Sequence, residues 1–196
     1  MDVQQPVLWL IAGPNGAGKT TYYRNLASRH FRVPFINADQ IAQERLGRHP
    51  KSDQEMQAAA AEAARRRDEA IHSGRSFVAE TVFSHPSKLE LMERARQAGY
   101  YLRLSFIGVS DPALCALRVS ARVEGGGHRV PPDRIAARYT RSLDLARQAV
   151  TLAHWALVLD NTSVEHPHRQ LLLYELGLLA RHWPPLPAWV RRFPGT

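Results

Sequence analysis

Residues 13–21 read Gly13-Pro14-Asn15-Gly16-Ala17-Gly18-Lys19-Thr20-Thr21. Gly13, Gly18, Lys19 and Thr20 fit the spacing G-x-x-x-x-G-K-[ST] of a phosphate-binding loop. The flanks fit as well. VLWLIA (7–12) is a short apolar run of the kind found in buried parallel strands, and the residues from Lys19 to Arg29 pattern as a helix. In such a loop the glycines let successive backbone N–H groups converge on phosphate oxygens, and the start of the helix adds its partial positive charge. Gly13, Asn15, Gly16, Ala17, Gly18, Lys19, Thr20 and Thr21 are therefore the expected nucleotide-binding set. The Lys19 ammonium would meet the β- and γ-phosphates, and the Thr20 hydroxyl would ligate Mg²⁺. The chain has 23 arginines and three lysines. A lysine nevertheless stands where a mobile point charge suits the chemistry better than a planar fork.

Outward from the loop, strands and helices alternate. PFINAD (34–39) is a second strand followed by a helix from Gln40 to Leu46. Ser52 with Glu55 forms a capping box that opens a helix closing at Gly74. SFVAET (76–81), YYLRLSFIGV (100–109) and WALVLDN (155–161) are strands three, four and five. Helices are expected over 86–99, 111–123 and 131–150, and HRQLLLYELGLLARH reads as a terminal helix before a proline-rich tail. This alternation predicts an α/β P-loop fold with a five-stranded, mainly parallel sheet. The 196 residues fit one domain, with a lid at about 118–141 and the terminal helix and tail at 165–196.

Composition narrows the class. Hydrophobic residues make up 44% and charged residues 22%, an ordinary globular balance. The single cysteine, Cys115, excludes an internal disulfide framework and fits a reducing compartment. No run is apolar enough for a membrane span, and the N-terminal residues lack the basic region of a signal peptide, so a cytoplasmic protein is expected. The net charge is +8, and half of it lies in one segment. Arg118, Arg122, Arg129, Arg134, Arg138 and Arg141 face only Glu124 and Asp133 there, around the stretch EGGGHRVPPDR. Tyr139 is the only aromatic residue among them, so the charge suits a compact anion, and nucleic acid is not the expected partner.

The remaining residues select among P-loop classes. The strand ALVLDN ends Asp160-Asn161, without the Asp-Glu of an ABC-type ATPase, and no Asn-Lys-x-Asp guanine-reading motif occurs. A small kinase instead needs an acid near the acceptor hydroxyl and arginines over the phosphates. Asp39, at the end of strand two, can serve as that base, or simply cap the next helix. Glu80 ends strand three and can hold a Mg²⁺-bound water or a substrate hydroxyl, or be a solvated carboxylate. Thr81, Ser84 and His85 can line an acceptor pocket or form a polar turn. Arg122 and Arg129 stand nearest the glycine stretch. Arg65-Arg66-Arg67, with Glu62, Asp68 and Glu69 beside them, read as a solvated helix surface.

The ordered set GPNGAGKTT, INAD, FVAETVFS, RVEGGGHRVPPDRIAARYTRSL and a strand ending in DN resembles the zeta-toxin-like P-loop kinases, in a compact subgroup marked by GGHxVP. That resemblance implies an adenylate-kinase-like sheet with ATP and Mg²⁺ as phosphoryl donor. It implies Lys19 and Thr20 on phosphates and metal, Asp39 as catalytic base, Glu80 as acceptor-site acid, and Arg122 and Arg129 as lid arginines. Zeta toxins proper phosphorylate UDP-N-acetylglucosamine and are restrained by an antitoxin protein. A small-molecule acceptor and an antitoxin partner are thus the expectations here. The alternatives are a 5′-hydroxyl nucleic-acid end as acceptor, or an ATP-gated binding module without kinase activity.

Overall fold

The computed structural model describes residues 5–50, 52–124 and 131–196. Its strands form one seven-stranded sheet in the order β2-β3-β1-β4-β5-β6-β7. The first five are β1 (Val7–Ala12), β2 (Phe35–Ile36), β3 (Phe77–Thr81), β4 (Tyr101–Gly108) and β5 (Trp155–Asp160), and they pair in parallel. Strand β1 explains why the centre of the sheet is where it is. Leu8, Leu10 and Ala12 enter the larger core on one face of the sheet, and Trp9 and Ile11 enter a smaller one on the other. With both faces covered, the run is apolar at every position rather than at alternate ones. The chain moves to one side of β1 for β2 and β3 and to the other for β4 and β5. The ligand crevice of an open α/β sheet lies at the carboxyl ends of the strands around such a reversal.

The helices follow the sequence expectations closely. The first is one continuous rod with a wider middle turn: α1 (Lys19–Tyr22), a π-helical segment Tyr23–Ala27, and α2 (Ser28–His30). Next come α3 (Ala38–Leu46), α4 (Asp53–His72), α5 (Ser87–Gln97), α6 (Pro112–Glu124) and α7 (Pro132–Leu152). The Ser52 side chain accepts from the Glu55 amide, as the capping box requires.

Two expectations are overturned. The sheet has seven strands instead of five, and the terminal helix does not form. HRQLLLYELGLLARH folds instead as the hairpin β6 (Arg169–Glu175) and β7 (Leu178–His182), antiparallel to β5 and to each other. A short apolar run does not by itself distinguish helix from strand. Here Leu176 and Gly177 both take positive φ, at 50° and 79°, the geometry of a two-residue turn between twisted strands. The hairpin also covers an edge of β5 that would otherwise present unpaired backbone groups. The proline-rich tail packs onto the body: Trp189, Val190 and Phe193 are buried, with Trp189 against Phe106 of β4.

Candidate active site

The loop after β1 has the backbone that its glycines make possible. Gly13, Gly16 and Gly18 all have positive φ, and a Cβ at 13 or 16 would collide with the carbonyl oxygens of Ile107 or Cys115. Ala17 is fully buried. Lys19 is 7% exposed and donates to the Pro14 carbonyl at 2.9 Å. Burial pushes its pKa down, the negative charges of Glu80 and Asp39 oppose that shift, and Arg122 adds to it. Glu80, Asp39 and Arg122 thus each act electrostatically on Lys19. The buried Oδ1 of Asn15 has no hydrogen-bond partner among the described residues.

The loop is held from outside by residues far along the chain. The Asn161 side-chain amide donates to the Ala17 carbonyl at 2.8 Å, and its Oδ1 accepts from the backbone of His168 at 3.2 Å. Nε2 of His168 sits 3.2 Å from the Gly18 carbonyl oxygen, which makes that nitrogen the donor. Burial lowers the His168 pKa, against the opposing pull of the Gly18 carbonyl. Arg118 donates to the carbonyls of Asn161 and Thr162, which ties α6 to the same junction.

Glu80 reaches the loop through strand register: Ile11 pairs with Glu80, and Ala12 with Thr81. The Thr20 hydroxyl accordingly donates to the Glu80 carboxylate, at 2.9 and 3.1 Å from its two oxygens. A hydroxyl and a carboxylate side by side are oxygen donors that suit Mg²⁺, whose other positions are commonly filled by phosphate oxygens and water. The described residues hold no group of three or more His, Cys, Asp or Glu side chains that could bind a metal unaided.

Asp39 is placed differently from either sequence reading. Strand β2 ends at Ile36, and Asn37 is the helix cap, accepting from the Gln40 amide at 3.0 Å. This frees Asp39 from the capping role and leaves it exposed in the first turn of α3, at the positive end of the helix.

Two cavities open on either side of this group. One, of about 700 Å³, runs along Gly18, Thr20, Thr21, Tyr23 and Asn161. The other, of about 520 Å³, is lined by Asn15, Thr81, Phe83, Ser84 and residues of α4 and α7. Gly16, Lys19, Asn37, Asp39, Glu80 and Arg122 line both. The wall of the second cavity is braced by α7. Ser142 donates to the Val82 carbonyl at 2.8 Å and Arg141 to the Ser84 carbonyl at 3.3 Å, while Thr81 Oγ1 accepts from the Phe83 amide. Of the two lid arginines expected from the sequence, Arg122 is at the junction. Arg129 falls outside the described residues, with the rest of 125–130.

Sequence reasoning did not pick out the positioning role of Asn161, nor His168, Arg67 or Lys88. Arg65 and Arg66 do pair on the surface, with Glu62 and Glu69, as a solvated face should. Arg67 does not belong with them. It continues the buried stripe Ala59, Ala63, Arg67, Ala70 of α4, a four- and three-residue spacing that was available to read.

A family model described as an AAA domain matches residues 8–138, more than half of the chain. The chain belongs to that family. A curated relative of this AAA-domain chain, an uncharacterised protein of Haemophilus influenzae, is 33% identical over 70 residues. The match covers 36% of this chain and half the length of that relative. Among solved structures, the PezAT toxin–antitoxin system of Streptococcus pneumoniae aligns over 88% of this chain and 73% of the other, with TM-score 0.63 and 16% identity. The AvrRxo1-ORF1:-ORF2 complex with ATP aligns over 91% and 61%, with TM-score 0.66 and 15% identity. A candidate kinase of Chloroflexus aurantiacus aligns over 83% and 91%, with TM-score 0.61 and 20% identity. At these identities the likeness speaks for the fold, and that fold is the one the zeta-toxin-like resemblance implies. No helix among the described residues is long and apolar enough to cross a membrane.

Proposed function

We propose that this AAA-domain protein is an ATP-dependent kinase that transfers the γ-phosphoryl group to a hydroxyl of a small molecule. One observation carries the reading: two separate cavities meet at Lys19, Asp39, Glu80 and Arg122. A hydrolase needs one nucleotide cleft and a water; a kinase needs two pockets sharing a reacting wall. The cavity along Gly18 and Thr20 takes the nucleotide, and the one along Thr81 and Ser84 takes the acceptor.

Within that arrangement each group has a task. Asp39 accepts the proton of the acceptor hydroxyl as its oxygen attacks the terminal phosphorus and ADP leaves. Lys19 and Arg122 oppose the charge on the phosphoryl oxygens during transfer. Thr20 would hold Mg²⁺ directly and Glu80 directly or through a water; the ion would supply neutralisation of phosphate charge. Arg129 is assigned beside Arg122 as the second lid arginine on the sequence resemblance.

A nucleotide sugar such as UDP-N-acetylglucosamine is one acceptor compatible with this scheme. Support comes from the zeta-toxin-like motifs and from fold neighbours whose names include a toxin–antitoxin system and a complex with ATP. An antitoxin-like protein partner and a cytoplasmic setting belong to the same proposal. The decisive experiment is incubation with labelled ATP, Mg²⁺ and a panel of sugar nucleotides and small alcohols, with products resolved by mass. A phosphorylated acceptor formed by the wild type and not by Asp39→Asn supports the reading. Phosphate release with no acceptor product in any mixture would replace it with an ATPase.

A further inference from the structure

The acceptor-side cavity also has a basic part of its wall, with chemistry unlike that around Asp39. Arg67 of α4 and Lys88 of α5 line it, with Arg138 of α7. Arg67 is only 8% exposed and makes no hydrogen bond or ion pair with any described residue. The carboxylate next to it in sequence is already engaged: Asp68 accepts from Arg94 at 2.8 Å. The Lys88 ammonium likewise has no hydrogen-bond or ion-pair partner among the described residues; Arg67 acts on its charge, opposed by the more weakly acting Glu90. Burial weakens the hold of both side chains on their protons. Of the acids lining the cavity, Asp39 is the one assigned to the reacting hydroxyl, and the other two have partners. Glu80 accepts from Thr20, and Asp53 lies 3.7 Å from Arg134.

Asp68 is the negative charge that acts on Arg67, and it is shared with Arg94; a buried guanidinium so weakly compensated is costly unless something supplies more. Here the missing charge faces an open cavity rather than packed protein. We infer that Arg67 and Lys88 form the seat for an oxyanion carried by the acceptor, a carboxylate or a phosphate, with the reacting hydroxyl at Asp39. The acceptor is therefore an anionic alcohol and not a neutral polyol. A planar fork beside a point charge fits an oxyanion from two sides, and one anion neutralises both cations at once. Arg67 and Lys88 bind and orient the acceptor so that its hydroxyl faces the phosphoryl donor. This inference rests on the cavity being the acceptor site.

The test separates the two ideas. Wild-type protein, saturated with Mg²⁺ and a non-hydrolysable ATP analogue to fill the phosphate loop, is titrated calorimetrically with inorganic phosphate and, separately, malonate. Saturable binding of at least one is expected, weakened by a factor of ten or more in Lys88→Met and Arg67→Met, with analogue affinity unchanged. Preference for phosphate or malonate then tells a phosphorylated from a carboxylated acceptor. Arg67→Lys serves where Arg67→Met fails to fold, and is expected to retain part of the binding. In the acceptor panel, KM for an anionic acceptor rises at least tenfold in Lys88→Met while kcat changes much less. Absence of anion binding by the loaded wild type, or binding equal in all variants, overturns the seat. So does efficient phosphorylation of neutral alcohols unaffected by Lys88→Met, which leaves the kinase reading intact. Anion binding that depends on Arg67 without phosphorylation of any acceptor keeps the seat and removes the kinase.

Discussion

Thr20 donates its hydroxyl proton to the Glu80 carboxylate, at 2.9 Å from one oxygen and 3.1 Å from the other. A residue of the phosphate loop and a residue of β3, 60 positions apart, thus present their oxygens at one point. If that point is the metal position, Mg²⁺ should strengthen ATP binding in the wild type far more than in Glu80→Gln. Titration calorimetry with and without EDTA measures this. Metal affinity should fall roughly 10–100-fold in the variant, the usual cost of losing a supporting ligand. An unchanged response to Mg²⁺ removes Glu80 from the metal environment.

Asp39 offers the sharpest kinetic test. It is exposed, uncommitted to the helix cap and shared by both cavities. Asp39→Asn keeps the shape and removes the carboxylate proposed as the base. Turnover with a cognate acceptor should fall by about 10²–10⁴. Nucleotide affinity, followed by equilibrium titration, should stay within about twofold, since proton transfer and not phosphate binding is lost.

His168 gives a pH dependence with a definite sign. Its folded pKa lies below the 6.5 of an unperturbed histidine, chiefly because the ring is buried. Between the two values the unfolded chain binds more protons than the folded one, so stability rises with pH through that window and levels off above about 6.5. The dependence should be present in urea midpoints of the wild type below pH 6.5 and reduced in His168→Gln. Equal slopes in both proteins would assign the acid sensitivity to other groups.

The hairpin turn supplies a purely structural prediction. Gly177 has φ of 79°, and a Cβ there would lie 2.5 Å from the Thr151 carbonyl oxygen. Gly177→Val combines backbone strain with a collision. It should cost on the order of 2 kcal/mol or more, seen as a Tm lowered by roughly 5 °C in a chain of this size. Unaltered Tm would mean that the β6–β7 turn rearranges freely.

Comparison of the sequence reading with the fold shows what kind of information each residue carried. Strand β1 and its glycine loop were legible because one local pattern, an apolar run turning into glycines and a lysine, serves a single purpose. The capping box at Ser52 was legible for the same reason. The β6–β7 hairpin was not, because an apolar leucine run suits either period and the free edge of β5 decided the outcome. Asp39 was placed in the correct crevice but on the wrong element, since Asn37, two residues earlier, competes for the cap and holds it. Arg67 was grouped with its sequence neighbours, although the turn of α4 sends it the other way. The Asn161 and His168 contacts join positions 144 and 150 apart in sequence, and no local pattern announces such a pair.

Those same contacts bear on how the chain acquires its grip on nucleotide. The groups that brace the Ala17 and Gly18 carbonyls of the phosphate loop lie more than 140 residues further along the chain. The motif alone, without the segment around 161–168, would lack the scaffold that holds it in shape. The shape of the phosphate loop thereby depends on a distant part of the fold, through Asn161 and His168.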